Sequence, residues 1–146
     1  MNHLSPILTL INHFKHYYKR NFQEISKQYH LSQLEIDILL FLYNNPEYNT
    51  ARDISAIRGF AKSNVSKALE SLNKKGFISS CIDTSNRKIQ RLTLNDEKKS
   101  QLKVLSICQK QCFQCMLNGF SKEEISQLIS FFCRIDQNIS EIQREK

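Results

Sequence analysis

Between Lys62 and Lys67 the chain places two ammonium groups, two hydroxyls and one carboxamide on Lys62, Ser63, Asn64, Ser66 and Lys67. These groups make hydrogen bonds and ionic contacts. An Asn carboxamide can pair bidentately with adenine, Ser can donate or accept, and Lys can reach guanine or phosphate. A second basic pair, Arg87 and Lys88, lies in a polar stretch that reads as the tip of a hairpin. A guanidinium there can enter a minor groove, where narrow A·T segments concentrate negative potential. Thr50 and Arg52, opening the preceding helix, belong to the same contact set. A merely solvated polar face would account for Glu70, Asn73 and Lys74 better than for the residues at 62–67.

Charge points the same way. Residues 50–91 hold nine Lys or Arg against three acids, which is +6 of the chain's formal +7. The 49 residues before this stretch balance at zero and the 55 after it sum to +1. Cationic charge so concentrated makes a local field to which a polyanion such as double-stranded DNA responds.

A length of 146 residues suits one domain with a real core, and 40% apolar with 24% charged residues is ordinary for a globular protein. Three Gly and two Pro favour long helices over a turn-rich β protein. No apolar run of about 18 residues predicts a membrane span. The first twenty residues lack the pattern of a secretory signal, so the expected location is cytoplasmic. A glycine-rich phosphate loop, HExxH and a nucleophile elbow are all missing, so no catalytic residue, cofactor or metal is assigned and an enzyme is not expected. Five cysteines, an odd number in a reducing compartment, do not suggest a disulfide framework.

The elements that would position these groups follow from periodicity. Ser5-Pro6 reads as a helix start, with Ile7, Ile11, Phe14, Tyr18, Phe22 and Ile25 as one stripe along a long first helix. Ser32-x-x-Glu35 is a capping box for a second helix burying Leu34, Ile38, Leu39, Phe41 and Leu42, ended by Asn44-Asn45-Pro46. Thr50-x-x-Asp53 opens a short third helix with Ile54 and Ile57 inward, stopping at Gly59. A fourth helix carries Val65, Ala68, Leu69 and Leu72 on its buried face and stops at Gly76. Residues 77–83 and 88–94 read as strands joined by a polar turn. Asn95 caps a fifth helix reaching about Gly119. Ser121-x-x-Glu124 opens a sixth, whose Ile125, Leu128, Phe132, Ile135, Ile139 and Ile142 form a seam for another helix. The expected fold is mainly α with a small β-hairpin wing, in the order α-α-α-α-β-β-α-α.

A short helix, a turn at Gly59, a second helix and a basic hairpin describe a winged helix-turn-helix, whose second helix meets base edges in the major groove. The run Gly59–Ile78 (GFAKSNVSKALESLNKKGFI), followed by Asp83–Lys88 (DTSNRK), resembles the MarR family of bacterial transcription regulators. The resemblance extends over essentially the whole chain. It implies a homodimer built from helices at about 5–29 and 95–146, each subunit carrying a lobe at about 32–94. It further implies a repressor acting on a pseudo-palindromic site, with major-groove contact by Ser63, Asn64, Ser66 and Lys67 and wing contact by Arg87. Two positions depart from the family pattern. Ala61 stands where a capping Ser or Thr is usual, and Asn86 where an Asp is commoner.

The family resemblance also implies a sensed effector, here a small aromatic or lipophilic compound, for which His13, His16, Tyr17 and Tyr18 are candidate lining residues. An alternative is redox or metal sensing by Cys108, Cys112 and Cys115, whose offsets of four and three share one helical face. The same cysteines continue an apolar stripe from Leu105, which makes core packing the expected role. A further alternative is a winged-helix module that binds protein rather than DNA. If the thiols do sense, peroxide or zinc alters DNA affinity and Cys112→Ser abolishes the change. An unaltered response in that variant removes the idea.

Overall fold

In the computed structural model, which describes residues 4–146, the periodic segments become seven α-helices and one antiparallel two-stranded sheet among those residues. They are α1 (Ser5–Asn21), α2 (Gln23–Tyr29), α3 (Gln33–Asn44), α4 (Ala51–Arg58), α5 (Lys62–Lys74), β1 (Ile78–Ile82), β2 (Gln90–Leu94), α6 (Lys99–Met116) and α7 (Lys122–Arg144). The chain forms two units, one ending at Lys110 and one beginning at Gln111.

The long first helix expected from the stripe is two helices. They part at Phe22, whose N–H donates to the Lys19 carbonyl at 3.2 Å, a tighter turn than the α-helical one. Beside it, Asn21 Nδ2 donates to the Tyr17 carbonyl at 2.8 Å, a side-chain bond that competes with the helix ladder. Phe22 is fully buried, so the break turns its ring into the core. Ser5 is not a cap: Leu4 holds that position without a side-chain bond, and Ser5 and Pro6 lie in the first turn.

Helix α3 is the centre of the first unit. Ile36, Ile38, Leu39, Leu40, Phe41 and Leu42 are all buried, so the helix is enclosed on nearly every side. The expected one-sided face was too narrow, because it omits Ile36 and Leu40, while Leu34 is only half-buried. Around α3 the core gathers Ile54 from α4, Val65, Ala68 and Leu72 from α5, and Phe77, Ile78, Leu92, Leu102 and Leu105. Half of the capping box at its start forms. Ser32 Oγ accepts from the Glu35 N–H at 3.1 Å, but the Glu35 carboxylate turns to Lys75 Nζ at 2.8 Å. That ion pair joins the start of α3 to the residue after α5.

Both strands are shorter than the sequence suggests, with Ile78 opposite Leu94 and Ile82 opposite Gln90. The residues between them are held by their own side chains. Asp83 Oδ1 accepts from Ser85 N–H at 2.9 Å, and Asn86 Oδ1 accepts from Lys88 N–H at 3.1 Å. Asn95 does not cap the next helix. It donates to the Gly76 carbonyl at 2.8 Å and accepts from Ser79 Oγ at 2.6 Å, and a 3-10 turn (Asp96–Lys98) leads into α6. In α7 the Ser121 box forms in both directions, at 2.8 and 3.1 Å.

Ile57 corrects the expected inner face of α4. At 53% exposure it lies outside the core that holds Ile54, because a helix of eight residues lays only a narrow strip against its neighbours. Ile54→Ala is therefore expected to destabilise the protein by about 2–5 kcal/mol, and Ile57→Ala by about 0.5 kcal/mol or less, by urea denaturation.

Candidate nucleic-acid interface

The polar residues singled out in the sequence are carried by α4, α5 and the β1–β2 hairpin. Helix α4 begins with a complete capping box. Thr50 Oγ1 accepts from Asp53 N–H at 3.1 Å, and Asp53 Oδ2 accepts from Thr50 N–H at 3.2 Å. Thr50 thus serves first as the cap that orients α4, while Arg52 is exposed one residue into the helix. Gly59 ends α4 with φ +70°, a conformation that favours glycine. The turn is drawn tight by Ser55 Oγ, which donates to the Phe60 carbonyl at 2.6 Å. The Arg58 guanidinium lies 5.1 Å from the centre of the Phe60 ring.

Helix α5 starts at Lys62 after Ala61, which has extended backbone angles and no side-chain cap. Lys62, Ser63, Asn64, Ser66 and Lys67 are all exposed, while Val65, Ala68 and Leu72 face the core and Leu69 is half-buried. The structure therefore brings the five onto the outward side of one helix. At the far end, Gly76 at φ +79° donates to the Asn73 carbonyl, and Phe77 N–H donates to the Leu72 carbonyl at 3.0 Å. This paired closure, with both Phe77 and Leu72 buried, fixes where the wing leaves the helix. Asn64 and Lys67 also border a cleft of about 250 Å³ between α5 and the start of α3, shared with Ser32, Glu35 and Ser71.

The cations of this region divide by partner. Lys75 is bound to Glu35 and to the His30 carbonyl, and Arg91 to Asp83. Lys74 pairs with Glu70 at 3.2 Å in an exposed bridge of little energetic consequence. Among the described residues, Arg52, Lys62, Lys67, Arg87 and Lys88 enter no salt bridge. These five are the cations proposed from sequence, and their charge is not neutralised by a carboxylate of the lobe.

Sequence reading missed Arg91, which it counted only as charge. Its Nε and Nη2 donate to Asp83 Oδ2 at 3.1 and 3.0 Å, and its Nη1 donates to Asn49 Oδ1 at 3.1 Å. The signal available was the alternation of β2, which puts Arg91 on one side of the strand and the core residue Leu92 on the other. The Ser85 backbone N–H, the Ser85 hydroxyl and the Arg91 guanidinium, in that order, hold the Asp83 carboxyl below the usual carboxylate range. The anchoring is thus complete above the ordinary carboxylate value and lost only as pH falls through the lower one.

The candidate sensor groups are less united. Cys112 is buried, Cys108 half-buried with Sγ 3.4 Å from the Asn21 carbonyl, and Cys115 exposed; none is in a disulfide. The core role expected for all three is therefore met by Cys112 and not by Cys115. Among the described residues no three His, Cys, Asp or Glu side chains gather as metal ligands, and no helix is long and apolar enough to cross a membrane. On α1, Tyr18 packs against Phe22 with tilted rings whose centres are 4.9 Å apart, and its hydroxyl accepts from Gln109 Nε2 at 2.8 Å. Its neighbours His13 and His16 are exposed and Tyr17 half-buried.

Helix, glycine turn, outward polar helix and basic hairpin define a winged helix-turn-helix protein. Residues 30–89 match the model of the MarR family. The whole chain also resembles solved structures. A MarR protein from Peptoclostridium difficile is 18% identical with a TM-score of 0.81, covering 100% of this chain and 96% of that one. A putative MarR family transcriptional regulator from Listeria monocytogenes, complexed with 26mer DNA, is 18% identical with a TM-score of 0.79 over 97% and 91% of the two chains. The transcriptional regulator SlyA is 24% identical with a TM-score of 0.78 over 92% and 94%. The match to the MarR family model lies over the winged helix-turn-helix segment, and the chain as a whole shares the fold of these regulators; members of that family are transcription regulators and not enzymes.

The bare start of α5 gives a direct test of how firmly the outward helix is fixed. Ala61→Ser supplies the missing cap on backbone already in the extended region. It is expected to raise stability by about 0.5–1 kcal/mol, while Thr50→Ala lowers it by about 1 kcal/mol, both by thermal or urea denaturation.

Proposed function

We propose that this chain is a sequence-specific, double-stranded-DNA-binding transcription regulator that works as a homodimer on a pseudo-palindromic operator. The observation that carries the reading is the set of five unneutralised cations, Arg52, Lys62, Lys67, Arg87 and Lys88, around the exposed Ser63, Asn64 and Ser66. Asn64 and the two serines suit base edges, and Lys62 and Lys67 suit phosphate or guanine. Arg87 and Lys88, exposed in the wing, suit an adjacent minor groove. The related Listeria structure in complex with DNA supports the same partner.

Dimerisation is supported by apolar surface that a lone subunit leaves in water. On α1, Ile7, Leu8, Leu10 and Ile11 are each 48% exposed or more. On α7, Ile129, Phe131, Phe132, Ile135, Ile139 and Ile142 are likewise about half exposed. Contiguous patches of this kind mark interaction surfaces. The dimerising segments remain those at about 5–29 and 95–146, flanking the lobe at about 32–94. In the cell the protein represses from its operator in the cytoplasm, and a small aromatic or lipophilic effector releases it.

Selection of duplexes from a random pool by the purified protein tests this reading and defines the operator. Affinity for the selected duplex falls steeply with added salt as counterions are released. Asn64→Ala costs about 1–3 kcal/mol on that duplex and relaxes the preferred base, whereas Arg87→Ala weakens all duplexes alike and lowers the salt slope by about 1. A chain that sediments as a stable monomer, or ignores every duplex at modest ionic strength, ends the proposal.

A further inference from the structure

Among the described hairpin cations, Arg91 is the one whose three guanidinium nitrogens each donate to an acceptor of the lobe. Three of its N–H groups reach two acceptors from different parts of the chain, Asp83 at the end of β1 and Asn49 before α4. The Asp83 side chain is only 14% exposed and that of Arg91 38%, so the bridge is partly shielded from solvent. A second tie runs beside it, since Leu92 N–H donates to the Asn49 carbonyl at 2.8 Å. Asn49 immediately precedes Thr50, whose capping box orients α4 and with it Arg52. Asp83 in turn closes the wing turn, its N–H donating to the Ile89 carbonyl at 2.9 Å and its carboxylate accepting from Ser85. One guanidinium therefore links the turn that carries Arg87 and Lys88 to the residue just before the cap of α4.

We infer that Arg91 is a positioning residue, a strap between Asp83 and Asn49 that makes the wing and the start of α4 move as one body. Resting on the DNA-binding reading above, it acts through Arg87 and Lys88 and does not touch nucleic acid itself. The chemistry favours Arg for this place. Its planar fork presents several donors in fixed directions, so two acceptors on different segments are held at a set separation. A wing left to pivot on the β1–β2 ladder loses ordering entropy when it enters a groove, and the strap removes that cost before binding. Two contiguous surfaces, the wing tip and the α4–α5 face, are then presented to one duplex at a fixed spacing.

The test combines a measurement without DNA and one with it. In the uncomplexed full-length chain, amide hydrogen exchange at Leu92, Asp83 and Ile89 is expected to speed up about tenfold in Arg91→Ala and in Asn49→Ala, with the buried part of α5 unchanged. Unchanged exchange at the hairpin overturns the strap. On the selected duplex, both variants are expected to lose about tenfold in affinity, although Asn49→Ala removes no charge. In an Arg87→Ala, Lys88→Ala background the same substitutions are expected to cost less than about twofold, because the groups that the strap places are gone. Full additivity there, or a loss with Arg91→Ala and none with Asn49→Ala, would identify Arg91 as a direct phosphate ligand and refute the inference. If Arg91→Ala proves too unstable, Asn49→Ala carries both arms alone. A wild-type chain that binds no duplex defeats the regulator reading and the placing role together, while the exchange arm still shows whether the tie itself exists.

Discussion

The lobe depends on the burial of α3. Six of its apolar residues between Ile36 and Leu42 are removed from water, and no ordinary amphipathic face could achieve that against one neighbour. The helix must be surrounded, and α4, α5 and the hairpin supply the surrounding residues through Ile54, Val65, Ala68, Leu72, Phe77, Ile78 and Leu92. Each of those elements has a limited inner face, so its remaining surface is available for polar groups. The outward placement of Ser63, Asn64, Ser66 and Lys67 is the geometric complement of the inward placement of Val65, Ala68 and Leu72.

Charge is sorted on the same scaffold. A cation paired with a carboxylate in the lobe contributes little field beyond it, and one without such a partner contributes most of its charge to the surrounding solution. Lys75 and Arg91 are used inside the lobe, the first linking Glu35 to the end of α5, the second linking Asp83 to Asn49. Among the described residues of the basic stretch, the cations in no salt bridge are those on the outer face of α5, at the start of α4 and at the wing tip, together with Arg58, which lies over the Phe60 ring at the end of α4. The internal ion pairs and the proposed DNA contacts therefore draw on the same basic stretch without competing for the same residues.

The two departures from the family pattern have different consequences. Ala61 leaves the first N–H groups of α5 without a side-chain acceptor, so the helix that carries the proposed base-contacting set begins less firmly than α4, α3 or α7. Asn86 instead keeps a local role. Its carboxamide oxygen accepts from the Lys88 N–H, shaping the wing turn without an added negative charge beside Arg87.

By itself the sequence determined the element types, the two complete capping boxes, the glycine stops at Gly59 and Gly76, and the outward residues of α5. Each of these is a local relation, set by residues within a few positions of one another. Tertiary structure alone decided the burial of Phe22 where the first helix breaks, the enclosure of α3 on nearly every side, the exposure of Ile57 and the diversion of Glu35 from its cap to Lys75. It also decided that Asn95 ties Gly76 to Ser79 and that Arg91 is a strap and not one more surface charge. Those outcomes turn on partners 8 to 42 positions away, or on which side of a helix the core falls. Spacing reports nearest neighbours along the chain, whereas burial and ion pairing are settled by what folding brings alongside.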